Sequence, residues 1–143
     1  MRQTNNELYD SIDYSKKPIK VVLMSDLHID YDYLPGADNE CNKFLCCRVD
    51  TGKAPTKERE AGKWGDYGHC DLPENTYLSL LDYIRDEMKP DVVMWLGDTI
   101  PHNVRTLDPT ENVETIRRAT NSIKKLLAIS KYIQQLVTMT LTP

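Results

Sequence analysis

The first sustained apolar run of the chain, Ile19-Lys20-Val21-Val22-Leu23-Met24, is short, β-branched and entered through Pro18. Such a run predicts a strand buried on both faces, as in a parallel sheet. Residues 1–18 are polar and aperiodic, which predicts a loose N-terminal arm. From about Asp30 to Pro73 the periodicity stops. An aperiodic stretch of that length inside a domain is uncommon unless it is functional or tied down. Tyr77, Leu80, Leu81, Ile84 and Met88 then recur at three- and four-residue steps, predicting a helix capped by Asn75 or Thr76 and stopped at Lys89-Pro90. Val92-Val93-Met94-Trp95-Leu96 has the pattern of a second buried strand, ended by Gly97-Asp98. A second long helix opens near Pro109-Thr110-Glu111, where proline and acid suit a first turn. Its inward stripe is Ile116, Ala119, Ile123, Leu126, Leu127 and Ile133, and Val137 to Leu141 begins a possible third strand.

The order β, long loop, α, β, α and possible β predicts an α/β fold with a parallel sheet joined by right-handed crossovers. A length of 143 residues suits about one domain. The net charge is −4, from 18 Lys and Arg against 22 Asp and Glu. With no basic block, nucleic-acid binding is not expected, because phosphate contacts need clustered cations. No apolar run approaches the roughly 20 residues of a membrane span. The opening Met1-Arg2-Gln3-Thr4-Asn5-Asn6-Glu7 has no apolar h-region, so no signal peptide is visible.

The four cysteines, Cys41, Cys46, Cys47 and Cys70, all fall inside the aperiodic stretch. No C-x-x-C spacing is present, which argues against a zinc ribbon or a thioredoxin-type site. Clustered cysteines in a turn-rich segment suggest disulfide staples, which persist in oxidising compartments. Pairing the adjacent Cys46 and Cys47 would strain the ring, which leaves two pairings open; free buried thiols are the alternative. Staples without a signal peptide would point to an incomplete N-terminus or a misassigned start.

Two neighbouring parallel strands end at one edge of a sheet, and ligands bind in the crevice outside those ends. The first strand runs into Ser25-Asp26-Leu27-His28 and the second into Gly97-Asp98. In extended backbone Asp26 and His28 would point to the same side, with Asp98 arriving beside them and Gly97 allowing close approach. Two carboxylates and an imidazole at a strand-end crevice suit a divalent metal. A lone D-x-H or a lone Gly-Asp turn would carry no such meaning; their joint position does. His102, four residues past Asp98, is a candidate general acid or oxyanion stabiliser at the same crevice.

Ser25-Asp26-Leu27-His28 with Trp95-Leu96-Gly97-Asp98 resembles the first two motifs of the calcineurin-like metallophosphoesterases. The chain is more closely similar to the acid sphingomyelinases through Asp30-Tyr31-Asp32-Tyr33-Leu34-Pro35-Gly36-Ala37, Cys46-Cys47-Arg48, Ala61-Gly62-Lys63-Trp64-Gly65-Asp66-Tyr67-Gly68-His69-Cys70-Asp71-Leu72-Pro73 and Gly97-Asp98-Thr99-Ile100-Pro101-His102. The likeness runs from about Ile19 to about Ile133. It implies the N-terminal part of a β-sandwich flanked by helices, with a disulfide-stapled loop. It further implies hydrolysis of a phosphodiester, sphingomyelin to ceramide and phosphocholine, at a two-zinc centre. Asp26 and His28 would hold the first zinc, Asp98 would bridge both, and His102 would serve the leaving alkoxide. The resemblance also implies the pairs Cys41–Cys46 and Cys47–Cys70, and a secreted or lysosomal glycoprotein acting on a phospholipid or another phosphodiester.

The family's later Gly-Asn-His and Gly-His-x-His motifs do not occur, and the chain has only three histidines. The expectation is therefore a partial catalytic domain over 19–143 with an aberrant tail from about 134. It would hold at most one zinc and show little or no activity alone. The saposin-like segment that precedes the family's catalytic domain is also not in the sequence, which leaves a nucleotide-type phosphodiesterase of the sphingomyelinase-like group as one alternative. A noncatalytic, disulfide-stapled α/β fragment is the other.

Overall fold

The computed structural model describes residue 13, residues 15–103 and 109–127, and the backbone of 132–134. Strand β1 (Val21–Met24) pairs in parallel with β4 (Val92–Trp95), which pairs in parallel with β5 (Tyr132–Gln134). A second, two-stranded parallel ribbon joins β2 (Ile29–Asp30) to β3 (Leu72–Pro73). Helix α1 (Glu74–Tyr83) leads to β4, and α2 (Pro109–Leu127) follows it. The fold is mixed α/β and carries two disulfides.

Both helices pack on one side of the sheet. Val22, Met24, Val93 and Trp95 point to them and join Tyr77, Leu81, Ile84, Ala119, Ile123 and Leu127 in one buried cluster. Parallel crossovers share one hand, so two successive crossovers in one direction bring both helices to the same face. The expectation of strands buried on both faces is corrected here. In β1 burial alternates, with Val21 50% and Leu23 62% exposed, because among the described residues nothing covers the second face.

The α1 stripe follows the apolar pattern: Tyr77, Leu81 and Ile84 are buried, and Leu80 and Met88 pack partly against the same cluster. The start differs from expectation. Pro73, extended at φ −69°, takes the capping position rather than Asn75 or Thr76, since proline fixes the angle a helix entry needs. Asn75 and Thr76 instead donate side-chain hydrogen bonds to the carbonyls of Lys63 and Trp64. Beyond Tyr83 the chain widens into a π-turn, Ile84–Met88, closed by Lys89 in the left-handed region at φ 46°. The Tyr77 hydroxyl donates to the Ala119 carbonyl at 2.9 Å, locking α1 to α2.

Ile133 lies in β5, not on the α2 stripe, whose described residues end at Leu127. The strand expected at Val137–Leu141, the tail from about 134 and most of the N-terminal arm fall outside the described residues, as does the Leu126 side chain.

The long aperiodic stretch is tied down, though not by an apolar core of its own. Cys41–Cys46 and Cys47–Cys70 are both bonded, the pairing that the resemblance implied. Arg48 is buried and donates to Asp30 at 2.6 Å and to Asp32 at 2.5 Å. Arg59 grips Asp38 through Nε at 2.8 Å and Nη2 at 2.5 Å. Isolated antiparallel bridges at Tyr33–Arg48, Ala37–Lys53 and Asp38–Glu60 complete the stitching. At Gly68 a Cβ would sit 2.5 Å from the Asn39 carbonyl oxygen, so the loop closes only over glycine.

Candidate metal centre

The carboxyl ends of β1 and β4 are zipped beyond the strands themselves. Leu96 N–H donates to the Met24 carbonyl at 2.9 Å. Asp26 N–H then donates to Gly97 at 3.2 Å, His28 N–H to Asp98 at 3.2 Å and Ile29 N–H to Thr99 at 2.8 Å. Two loops thus run side by side out of the sheet, and their side chains meet.

Asp26, His28 and Asp98 each offer one ligand atom, and these atoms lie within 4.8 Å of one another. The expected route to that meeting was wrong. Asp26, His28 and Asp98 are not extended but left-handed, at φ 56°, 38° and 53°, and Gly97 sits at φ 93°. Non-glycine residues in that region are uncommon and cost free energy, so the hydrogen-bonded zipper must hold them there. Convergence comes from these tight turns rather than from the two-residue period of a strand.

The donor set suits a divalent cation. His28 Nδ1–H donates to the Ile100 carbonyl at 2.8 Å, so in the neutral ring the Nε2 lone pair is the one available, 3.5 Å from Asp98 Oδ2. A backbone carbonyl on the far nitrogen is the usual way a metal-binding imidazole is oriented. The Ser25 hydroxyl donates to Asp26 Oδ2. That hydrogen bond, with lesser help from Asp98 and His28, holds the Asp26 carboxyl below the usual carboxylate range. A carboxylate kept ionised beside an imidazole with a free nitrogen is a ligand set for zinc, manganese or iron.

His102 stands beside this cluster. Its ring stacks on that of His28 with centroids 3.9 Å apart and planes at 29°. Its Nδ1–H donates to Asp71 Oδ1 at 2.8 Å, and its backbone N–H donates to Asp71 Oδ2 at 2.6 Å. The proton that His102 can give or take is therefore at Nε2. Asp71, whose side chain is 8% exposed, is the partner of His102 that sequence reasoning did not single out. The available signal was its place directly after Cys70, in a segment otherwise assigned to the staple.

The cysteines stay out of the metal cluster. Of the four, only Cys70 borders the open pocket of about 420 Å³ beside His102, together with Leu45, His69 and Asp71. Asp30, two residues beyond His28, is 1% exposed with Oδ2 unpartnered, and burial pushes its carboxyl up to about 6 against the opposing pull of Arg48. No helix among the described residues is long and apolar enough to cross a membrane.

No family model matches the chain. It is 39% identical over 108 residues to the sphingomyelin phosphodiesterase of Bos taurus, an alignment covering 76% of this chain and 17% of that protein. The Homo sapiens sphingomyelin phosphodiesterase is 36% identical over 108 residues, again 76% of this chain and 17% of the relative. The Homo sapiens acid sphingomyelinase-like phosphodiesterase 3b is 32% identical over 117 residues, covering 80% of this chain and 24% of the relative. The chain thus spans about a sixth of the length of the first two relatives.

Proposed function

The chain belongs to the acid sphingomyelinase family, and from that premise we propose that it carries the first metal-binding half of a phosphodiester hydrolase site. Sphingomyelin is the proposed substrate, zinc the proposed metal, and an oxidising compartment, secreted or lysosomal, the proposed location. The parallel sheet is proposed to be one layer of a calcineurin-like β-sandwich. The observation that carries this reading is the convergence of Asp26, His28 and Asp98 within 4.8 Å at the strand ends.

In this reading Asp26, His28 and Asp98 would hold the metal, which would supply Lewis-acid chemistry there, a water of lowered pKa and offset of charge on the phosphoryl oxygens. The chain's own groups do the rest. The Ile100 carbonyl fixes the His28 tautomer, and Ser25 keeps one Asp26 oxygen occupied so that the other is presented to the metal. Asp71 commits the His102 Nδ1 hydrogen, so protonated His102 delivers its second proton from Nε2 to the leaving alkoxide. Three ligands suffice for one ion and not for two, so the chain alone is proposed to bind one zinc and to turn over little.

The test is zinc stoichiometry on the oxidised chain, read beside hydrolysis of a chromogenic phosphodiester. One zinc per chain, lost in Asp98→Asn and in His28→Ala, is the expected result. Zinc binding that survives both substitutions would sink the assignment. Two zincs with turnover would mean that further residues of this chain complete a second site.

A further inference from the structure

Sequence and fold assign the two disulfides the same task, closing a loop that lacks an apolar core. Their surroundings separate them. Cys41–Cys46 spans five residues within the loop itself. Cys47–Cys70 spans 23 residues; Cys46 and Cys47 are both fully buried, so it is span and attachment that separate the two links. The far end of the longer link, Cys70, is bonded directly to Asp71.

Asp71 is held on both sides. Towards the C-terminus, Leu72 pairs with Ile29, and Leu72 N–H donates to the His28 carbonyl at 3.2 Å. Towards the N-terminus, Cys70 is tied to Cys47, and Cys46 N–H donates to the His69 carbonyl at 2.6 Å. The anchor at Cys47 is itself fixed, since its N–H donates to Asp38 and its carbonyl accepts from Leu34. A short carboxylate side chain reaches both the backbone N–H and Nδ1 of His102 only if its Cα is held on the correct side of that loop. The β2–β3 ribbon is two residues long on each strand, too short to hold residues 65–71 by itself; besides the disulfide they are tied by the Cys46–His69 backbone bond and by Asn39 Nδ2, which donates to Asp66 Oδ1 at 3.1 Å.

We propose that Cys47–Cys70 is a positioning element of the active site: it sets the Asp71 carboxylate beneath His102 and thereby fixes the ring that stacks on His28. Cys41–Cys46 has no such role. This deepens the reading of His102 as the acid and rests on it for its catalytic meaning. The geometric statement stands or falls separately, because its test reads the His102 ring and not turnover.

The test compares four chains by nuclear magnetic resonance: the native oxidised protein, Cys47→Ala/Cys70→Ala, Cys41→Ala/Cys46→Ala, and Asp71→Asn. The readouts are the hydrogen-bonded Nδ1–H resonance of His102, the tautomer reported by its ring nitrogens, and amide exchange at His102. Core signals from Tyr77 and Ile123 report whether each variant is folded. The expected result is that removing Cys47–Cys70 abolishes the Nδ1–H signal and speeds His102 amide exchange at least about tenfold, reproducing Asp71→Asn, while the Cys41–Cys46 variant keeps the native signature. An unchanged His102 signature without Cys47–Cys70, or an equal loss in both cysteine variants, overturns the proposal. Should the Cys47–Cys70 variant fail to fold, inserting one glycine between Cys70 and Asp71 keeps the disulfide and breaks only the coupling. Loss of the His102 signature then supports the proposal, and its retention overturns it.

Discussion

The two halves of the molecule are held together by different physics. In the strand and helix half, residues 19–30 and 72–127, an apolar cluster from three strands and two helices excludes water, and Ile29, Val93, Tyr77, Leu81, Ala119 and Ile123 have no exposed surface. In the loop half, residues 31–71, the buried residues are few and mostly small or sulfur-bearing, Ala37, Cys46, Cys47, Ala54 and Ala61, with Leu45 and the ion-paired Arg48 as the large ones. Order there comes from covalent links and ion pairs. The first kind of order is roughly proportional to area and tolerant of detail; the second depends on individual atoms. The candidate site draws on both, since Asp26, His28 and Asp98 ride on the sheet while Asp71 rides on the loop.

Removing both disulfides should break the comparison most widely. By loop-closure entropy the 23-residue link contributes about 3 kcal/mol and the five-residue link about 2 kcal/mol. The expected outcome is loss of hydrogen-exchange protection over 34–61 with protection retained at Tyr77, Leu81 and Ile123. Simultaneous loss in both halves would show that they fold as one unit.

Arg48→Ala comes next. It strands the buried Asp30 carboxylate and releases Asp32, and breaking a buried pair from one side costs roughly 3–5 kcal/mol. Ile123→Ala in the other half should cost roughly 3 kcal/mol through the cavity it leaves. Denaturant unfolding separates the two: Arg48→Ala acts first on loop probes, Ile123→Ala on the sheet and helices. An Arg48→Ala chain as stable as the native one would mean that the loop's ion pairs are ornamental.

The smallest effect concerns pH. Lys43 donates to Asp50 at 2.6 Å and, with Arg48 further off, holds the Asp50 carboxyl below the usual carboxylate range. A lowered folded value means that the contribution is present above the ordinary carboxylate range and is lost as pH falls through the lowered one. Both groups are half-exposed or more, so the effect is slight and weakened by salt. Lys43→Ala should lower the loop's melting temperature slightly at neutral pH and leave it unchanged once pH falls below the lowered carboxyl range, so that the acid limb flattens; no loss at neutral pH, or an equal loss in acid, would contradict the assignment.

Much of the first half was legible in the chain, and much less of the second. The three-and-four spacing of Tyr77, Leu81 and Ile84 located α1, and Ala119, Ile123 and Leu127 located α2, because burial in a helix repeats with the helical turn. The same pattern misled at Ile133, whose spacing fits α2 but whose backbone belongs to β5. It also misled at Val21 and Leu23, since an unbroken apolar run does not say how many faces are covered. In the loop half no period exists to follow, and only the cysteines signalled that the segment was fixed at all.

The sequence alone determined which residue types could bind a metal and that two strand ends would bring Asp26, His28 and Asp98 to one edge, because parallel pairing is dictated by the order of apolar runs. Only the tertiary structure decided how they meet, through left-handed turns zipped by backbone hydrogen bonds, and which carboxylate orients His102. Asp71 and His102 are far apart along the chain and share no period. Their contact depends on a disulfide and a two-residue ribbon, and such long-range, one-atom constraints leave no repeating trace in a sequence.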